Sequence, residues 1–216
     1  MNKLIFILKQ RFKKTIIFDF VVIFRRWTRG YSHLKALVDS NDYFHSDSHD
    51  RIKELAKKHN ISIFIETGTF IGNALFGLKD TFQKLLSIEL DYGIYKLAKK
   101  RFSSYEHINI YHGDSSKLLP EIIQNLNEPA LFWLDAHYSS GVTAMGELQT
   151  PVMQELKIIF SHHIKKHCIL VDDVKDFNGW NDYPEIDFLI NFVDNKSGGS
   201  YSAHIDGGIF VIEPIK

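Results

Sequence analysis

Carboxylates recur at one kind of place in this chain, directly after short apolar runs. Glu66 follows Ile61-Ser62-Ile63-Phe64-Ile65, Glu89 ends Lys84-Leu85-Leu86-Ser87-Ile88, and Asp114 comes just after Ile108–His112. Asp135 follows Ala130-Leu131-Phe132-Trp133-Leu134, and Asp172-Asp173 follow Cys168-Ile169-Leu170-Val171. A carboxylate has two acceptor oxygens, so one residue can take both hydrogen bonds of a ribose-like diol. Several held close together repel, and they persist when a cation sits among them or one keeps its proton. Hard oxygen donors with open positions suit Mg²⁺ or Mn²⁺. His137, just after Asp135, adds an imidazole that titrates near neutral pH and can act as a general base.

The apolar runs read as buried strands, and helical patterns lie between them. Helices are expected over 45–60, 73–82, 91–105, 116–126, 151–160 and 184–193. Ser46-Asp47-Ser48 supplies the start signal of the first. Strand and helix alternating at short spacing predict βαβ units and a parallel sheet. The strand ends then open on one edge, where ligands of such sheets bind, and Asp135, Asp172 and Asp173 should converge there. At the C-terminus, Asp206-Gly207-Gly208 between two apolar segments predicts a β-hairpin. The expected fold is a Rossmann-like α/β sheet of seven strands, mostly parallel, with a C-terminal antiparallel hairpin and helices on both faces.

The turn after the first strand is Glu66-Thr67-Gly68-Thr69-Phe70-Ile71-Gly72. Gly68 frees the backbone for a tight turn and for close approach to a ligand, and Gly72 lets the next helix pack closely on the strand. The turn lacks the Gly-Lys-Ser/Thr of a phosphate-binding loop and the G-x-G-x-x-G of dinucleotide folds. An acid followed by G-x-x-x-G suits a ligand with a cation and a ribose but no phosphate.

This turn resembles motif I of the class I S-adenosylmethionine-dependent methyltransferases. The resemblance implies that Glu66, Thr67, Gly68 and Gly72 hold the methionine part of the cofactor, S-adenosylmethionine. Glu89 is placed to take the ribose diol, and the resemblance assigns the adenine amino group to Asp114, with Ser115 beside it. Capping the following helix is an equal reading of Asp114. Asp135, Asp172 and Asp173 together look like the acid set of metal-dependent O-methyltransferases, which holds a divalent ion and two neighbouring substrate hydroxyls. The other reading is that Asp172 and Asp173 only cap a helix and hold a loop. The lysine base of the catechol type is replaced by Tyr138, which leaves His137, or Asp135 if metal does not commit it, as the base. The run Phe132 to Gly141, with Thr150-Pro151, Val171-Asp172-Asp173, Asn178-Gly179 and Asp182-Tyr183-Pro184, resembles a bacterial methyltransferase-like group of undefined substrate. The loop 138–147 is expected to act as a lid.

The totals bound these readings. The chain has 216 residues, a formal net charge of zero and one cysteine, Cys168. No global basic field argues for nucleic acid, and no disulfide framework or cysteine zinc site is available. A cytoplasmic setting is the simplest reading. Residues 1–45 form a basic and apolar extension, expected to be helical, ahead of a methyltransferase domain over 46–216. Its apolar patches are too short to span a bilayer. They suit packing on the domain or on a second copy in a homo-oligomer, or peripheral contact of residues 1–35 with an anionic membrane. Trp180, Tyr183 and Phe188 read as core packing in preference to a sugar-stacking surface, and Lys96, Lys99, Lys100 and Arg101 as a solvated face.

The function expected is O-methylation of a sugar or other polyol, within polysaccharide or secondary-metabolite synthesis. The alternatives are another metal-dependent enzyme on the same scaffold, such as a hydrolase or hydroxylase, and a non-catalytic scaffold.

Overall fold

The structure, a computed structural model, describes residues 32–36, 46–136, 150–180 and 182–215. Its element order is α1 (Asp47–His59), β1 (Ile63–Thr67), α2 (Asn73–Leu78), β2 (Lys84–Glu89), α3 (Tyr92–Arg101), β3 (Ile108–His112) and α4 (Ser115–Ile123). There follow β4 (Ala130–Leu134), α5 (Val152–Ser161), β5 (Cys168–Val171), a 3₁₀ turn (Val174–Asp176), α6 (Ile186–Ser197), β6 (Tyr201–Asp206) and β7 (Ile209–Pro214). The strands form one sheet in the order β3-β2-β1-β4-β5-β7-β6. β1 to β5 run parallel, and β7 is antiparallel to both β5 and β6. The expected seven-stranded architecture is therefore the observed one.

Period-two alternation sorts the side chains into two cores. Ile65, Leu86, Phe132, Ile169 and Phe210 face α4, α5 and α6, where they meet Leu119, Leu156 and Leu189. Phe64, Leu85, Leu131, Leu170 and Val211 face the other way, onto Ile52 of α1, Leu75 of α2 and Ala98 of α3. Every residue of β1 and β4 is buried, as both faces being covered requires. β1 lies in the middle, with Ile65 opposite Leu86 of β2 and Phe132 of β4. Strand order reverses between β1 and β4, which opens a crevice outside their carboxyl ends.

Helix ends differ from the sequence reading where side chains intervene. α2 stops at Leu78 instead of running to Phe82: the Thr81 amide turns back to the Leu78 carbonyl at 2.9 Å, freeing Phe82 to pack on Phe64. α3 starts at Tyr92 because the Asp91 carboxylate accepts the Ile94 amide at 2.9 Å. α6 runs on to Ser197 and ends where Gly198 takes a left-handed conformation. Ser46 begins α1 as expected, with His49 closing a capping box.

Of residues 1–45 only 32–36 are described; they form a helical turn whose Leu34 packs on Ile71, Ile94 and Leu97. The rest of that extension lies outside the described residues. No helix among the described residues is long and apolar enough to cross a membrane. Two expectations about surface residues fail. Trp180 is 74% and Phe188 56% exposed, so neither is core; only Tyr183 packs inward, against Phe177 at 5.4 Å. Arg101 is not simply solvated, since it donates to the Ile71 carbonyl at 2.8 Å and lies over the Phe76 ring.

His167 sits at the opposite edge of the sheet from the crevice. Its Nδ1 accepts the Ala130 amide at 3.0 Å, and its Nε2 faces His162 Nδ1 at 2.9 Å. Burial first, then the neighbouring His162, pushes it down to about 4. The unfolded chain then binds the proton more readily than the folded one. This contribution to stability is complete above the ordinary histidine range and is lost as pH falls through it toward 4, in total about 3 kcal/mol. Urea unfolding at pH 7.5 and 4.5 should show that loss in the wild type and a smaller one in His167→Gln.

Candidate functional site

The turn after β1 is shaped by close approach to β4. Gly68 has φ +87°, and a Cβ there would lie 2.4 Å from the Asp135 carbonyl oxygen. Gly72 has φ +76°, and a Cβ there would meet the Phe102 ring at 2.3 Å. Both glycines are thus required by the chain itself: Gly68 seats the turn on the end of β4, and Gly72 seats it against the end of α3. Phe70, between them, is 42% exposed and has a left-handed φ of +48°.

Beneath the turn, Glu66 is shut from solvent at 2% exposure. Ser87 Oγ donates to its carboxylate at 2.5 Å and lies 2.6 Å from Thr69 Oγ1. Burial raises the Glu66 pKa well above the usual range, against the Ser87 hydrogen bond, and Asp135 and Glu89 push the same way as burial. Glu66 therefore braces the turn from below.

Glu89 ends β2 beside this turn. Its Oε2 accepts the Phe70 amide and its Oε1 the Asp91 amide, each at 2.8 Å. Burial raises its pKa while these amides lower it. Each oxygen keeps a further lone pair for a ligand donor. Asp114 caps α4: its Oδ1 accepts the Ser116 amide at 2.9 Å and the Ser116 hydroxyl at 2.7 Å, and Oδ2 lies 3.3 Å from Lys117. Burial would raise its pKa, but the Ser116 and Lys117 contacts outweigh it and hold the group low. Of the two readings of Asp114, capping is the one the geometry displays. Ser115 opens α4 and is buried.

A small cleft opens at the ends of β4 and β5. Its walls include Asp135, Asp172, Asp173, Thr150, Tyr183 and Glu155. Asp135, Asp172 and Asp173 all line this cleft. Among the described residues, however, no group of three His, Cys, Asp or Glu side chains gathers closely enough to hold a metal ion. Asp172 Oδ1 accepts the Asp173 amide at 2.8 Å, and Asp173 Oδ1 pairs with Lys175 at 3.1 Å. Asp173 precedes the 3₁₀ turn with φ +55°, and its side chain makes no capping hydrogen bond there. His137, Tyr138 and the loop 138–147 lie outside the described residues.

Glu155 is the residue that sequence reasoning passed over. It sits in the first turn of α5 at 1% exposure. Burial pushes its carboxyl up to about 7; the Ser115 and Thr67 hydroxyls pull the other way, and Asp114 and Asp135 add to the rise. Neither Glu155 Oε1 nor Thr67 Oγ1 has a hydrogen-bond partner of good geometry among the described residues. The available signal was an acid at an inward position of an amphipathic helix, where an apolar residue belongs.

No protein-family model matches the chain, and no curated protein does. Solved structures do, and they place the chain in the fold of the class I O-methyltransferases. An O-methyltransferase from Bacillus cereus in complex with SAH superposes with a TM-score of 0.57 at 14% identity, covering 87% of this chain and 90% of that one. TomG from Streptomyces achromogenes, an O-methyltransferase of tomaymycin synthesis in complex with SAM, gives 0.55 at 15% identity, covering 84% and 87%. A methyltransferase from Geobacter sulfurreducens gives 0.56 at 8% identity, covering 86% and 87%. At these identities the likeness is one of fold.

The contact between Gly68 and β4 is testable. Gly68→Ala adds a clash with the Asp135 backbone and a strained φ, and should destabilise the protein by roughly 1–3 kcal/mol. A denaturant midpoint equal to wild type would contradict the close approach.

Proposed function

We propose that the protein is an S-adenosylmethionine-dependent methyltransferase acting on a hydroxyl oxygen of a sugar or other polyol. The observation that carries this reading is Glu89. In a fold shared with SAM- and SAH-bound O-methyltransferases, its carboxylate ends the strand beside the glycine turn, with both oxygens oriented by backbone amides. The residues present fit the cofactor. Glu89 would take the ribose diol, Asp114 and Ser115 would border the adenine, and the turn Thr67 to Gly72, braced by Glu66, would hold the methionine part near Asp135.

When bound, the cofactor supplies an electrophilic methyl group on a cationic sulfur. The chain's own contribution is chiefly positional. The walls of the β4–β5 cleft orient an acceptor hydroxyl toward the turn, and Asp135, or His137 in the adjoining loop, takes its proton as the oxygen forms the new bond. Carboxylates along this edge favour the positive charge of the sulfonium before transfer. Divalent-metal assistance by Asp135, Asp172 and Asp173 is the finer part of the proposal. Their hard oxygen donors suit Mg²⁺ or Mn²⁺, although among the described residues no three such side chains gather closely enough to hold an ion.

Calorimetric titration of S-adenosylhomocysteine is the direct test, and micromolar binding is expected. No binding to folded protein would remove the cofactor reading. Glu89→Ala should weaken that binding by roughly 1.5–3 kcal/mol through loss of charge-assisted hydrogen bonds, with melting temperature measured alongside to separate loosening of the turn. Metal assistance predicts that methyl transfer to a polyol panel falls in the presence of a chelator and returns with Mg²⁺. Equal rates with and without chelator would rule it out.

A further inference from the structure

Residues 32–36 are the described piece of the N-terminal extension, and four of the five are exposed. The exception is Leu34, 5% exposed, which closes a small apolar cluster with Ile71, Ile94 and Leu97. This cluster is separate from the two cores that flank the sheet. Ile71 belongs to the turn after β1. Ile94 and Leu97 stand on α3, with Arg101 four residues further on, and this three-and-four spacing puts all three on one helix face. Arg101 donates to the Ile71 carbonyl at 2.8 Å. Leu34 is thus seated where the turn and α3 meet.

Those two elements supply the two amides that orient Glu89. The turn gives the Phe70 amide to Oε2, and the residue that caps α3 gives the Asp91 amide to Oε1, each at 2.8 Å. A gap opening between turn and helix would pull these amides apart and release the carboxylate from its fixed orientation. The turn has its own reason to move. Phe70 holds a left-handed φ of +48°, a conformation that persists only where the surroundings over-determine it. Arg101 supplies the polar part of that hold. The apolar part comes from Leu34, through burial of four aliphatic side chains against one another.

We propose that Leu34 is a positioning residue for the cofactor, acting through the Ile71 turn and α3 on the orientation of Glu89. The N-terminal extension then forms part of the cofactor site without touching the cofactor. That the ligand is S-adenosylmethionine rests on the methyltransferase reading; the hold on the turn does not. When the turn is unseated in part of the population, only the seated fraction binds, and the apparent dissociation constant rises by the inverse of that fraction. Because the cluster is a satellite of the main cores, its loss loosens the turn locally and leaves the sheet standing.

The test compares wild type, Leu34→Ala and Leu34→Met in the full chain. It reads residue-resolved hydrogen exchange without ligand, and calorimetric titration of S-adenosylhomocysteine. In Leu34→Ala the amides of Phe70 and of Gly72, which donates to the Thr69 carbonyl at 2.8 Å, should exchange about tenfold faster, with those of β4 and β5 unchanged. Affinity for S-adenosylhomocysteine should fall about tenfold, as when a tenth of the molecules keep the turn seated. Leu34→Met, which refills the volume, should restore both readouts to within about twofold of wild type. In a Glu89→Ala background the loss from Leu34→Ala should shrink to about twofold, and a full tenfold loss there would overturn the route through Glu89. Faster exchange with unchanged affinity would overturn the proposal, as would unchanged exchange at Phe70 and Gly72 whatever the affinity. Lost protection throughout the sheet, or failure of Leu34→Ala to fold, would overturn it too, since Leu34 would then hold the domain and not the turn. If wild type binds no S-adenosylhomocysteine yet Leu34→Ala frees these two amides and Leu34→Met protects them, the hold on the turn stands and the methyltransferase reading falls.

Discussion

Burial of carboxyl groups along one edge of the sheet is the constraint around which this molecule is arranged. Glu66, Glu89 and Glu155 are each almost fully enclosed, and burial is the largest influence raising all three. Each meets the cost differently. Glu66 takes a hydroxyl from Ser87, and Glu89 takes two backbone amides. Glu155 keeps one oxygen without a partner among the described residues. Two of the three are oriented by short direct hydrogen bonds, and the third has the Ser115 and Thr67 hydroxyls beside it. Enclosed carboxyls raised by desolvation at the strand ends mark this edge as the candidate functional site.

The geometry of that edge follows from where strand order reverses. β1 has β2 on one side and β4 on the other, so the turn leaving β1 must cross the end of β4. It does so within contact of the Asp135 backbone, and only a residue without a Cβ fits at position 68. The same crossing brings the Phe70 amide over Glu89, and Thr67 lies beside Glu155 of α5 together with Ser115 of α4. Arg101 then fastens the turn from α3 through the Ile71 carbonyl. A conformation costly for Phe70 is held by contacts on both sides, which is how strained backbone persists at ligand-binding turns.

The two faces of the sheet divide the work. On the face of α1, α2 and α3, large apolar side chains fill the core up to Glu66, whose network with Ser87 and Thr69 closes the top. On the other face the core under α4, α5 and α6 stops short, and the cleft with Glu155 at its wall takes over. The turn thus has a packed underside on one face and a small, acid-lined cleft on the other.

The strands were legible in the sequence because each is a short apolar run with a polar stop, and β3, β4 and β5 match the expected spans residue for residue. The alternation of strand and helix was enough to determine a parallel sheet, the hairpin at its end, and the row of acids at its carboxyl edge. Helix ends were less legible, since a single capping side chain such as Asp91 or a turn at Thr81 decides them. Exposure of Trp180 and Phe188 could not be read, because an aromatic residue looks the same in sequence whether a partner covers it or not. The burial of Glu155 was hidden for a similar reason. Whether an acid on a helix meets water or a closed cleft depends on what packs over it, and β1, β4, β5 and α4 come together there only in three dimensions. Local pattern and period belong to the sequence; desolvation belongs to the fold, because it is a property of neighbours distant along the chain.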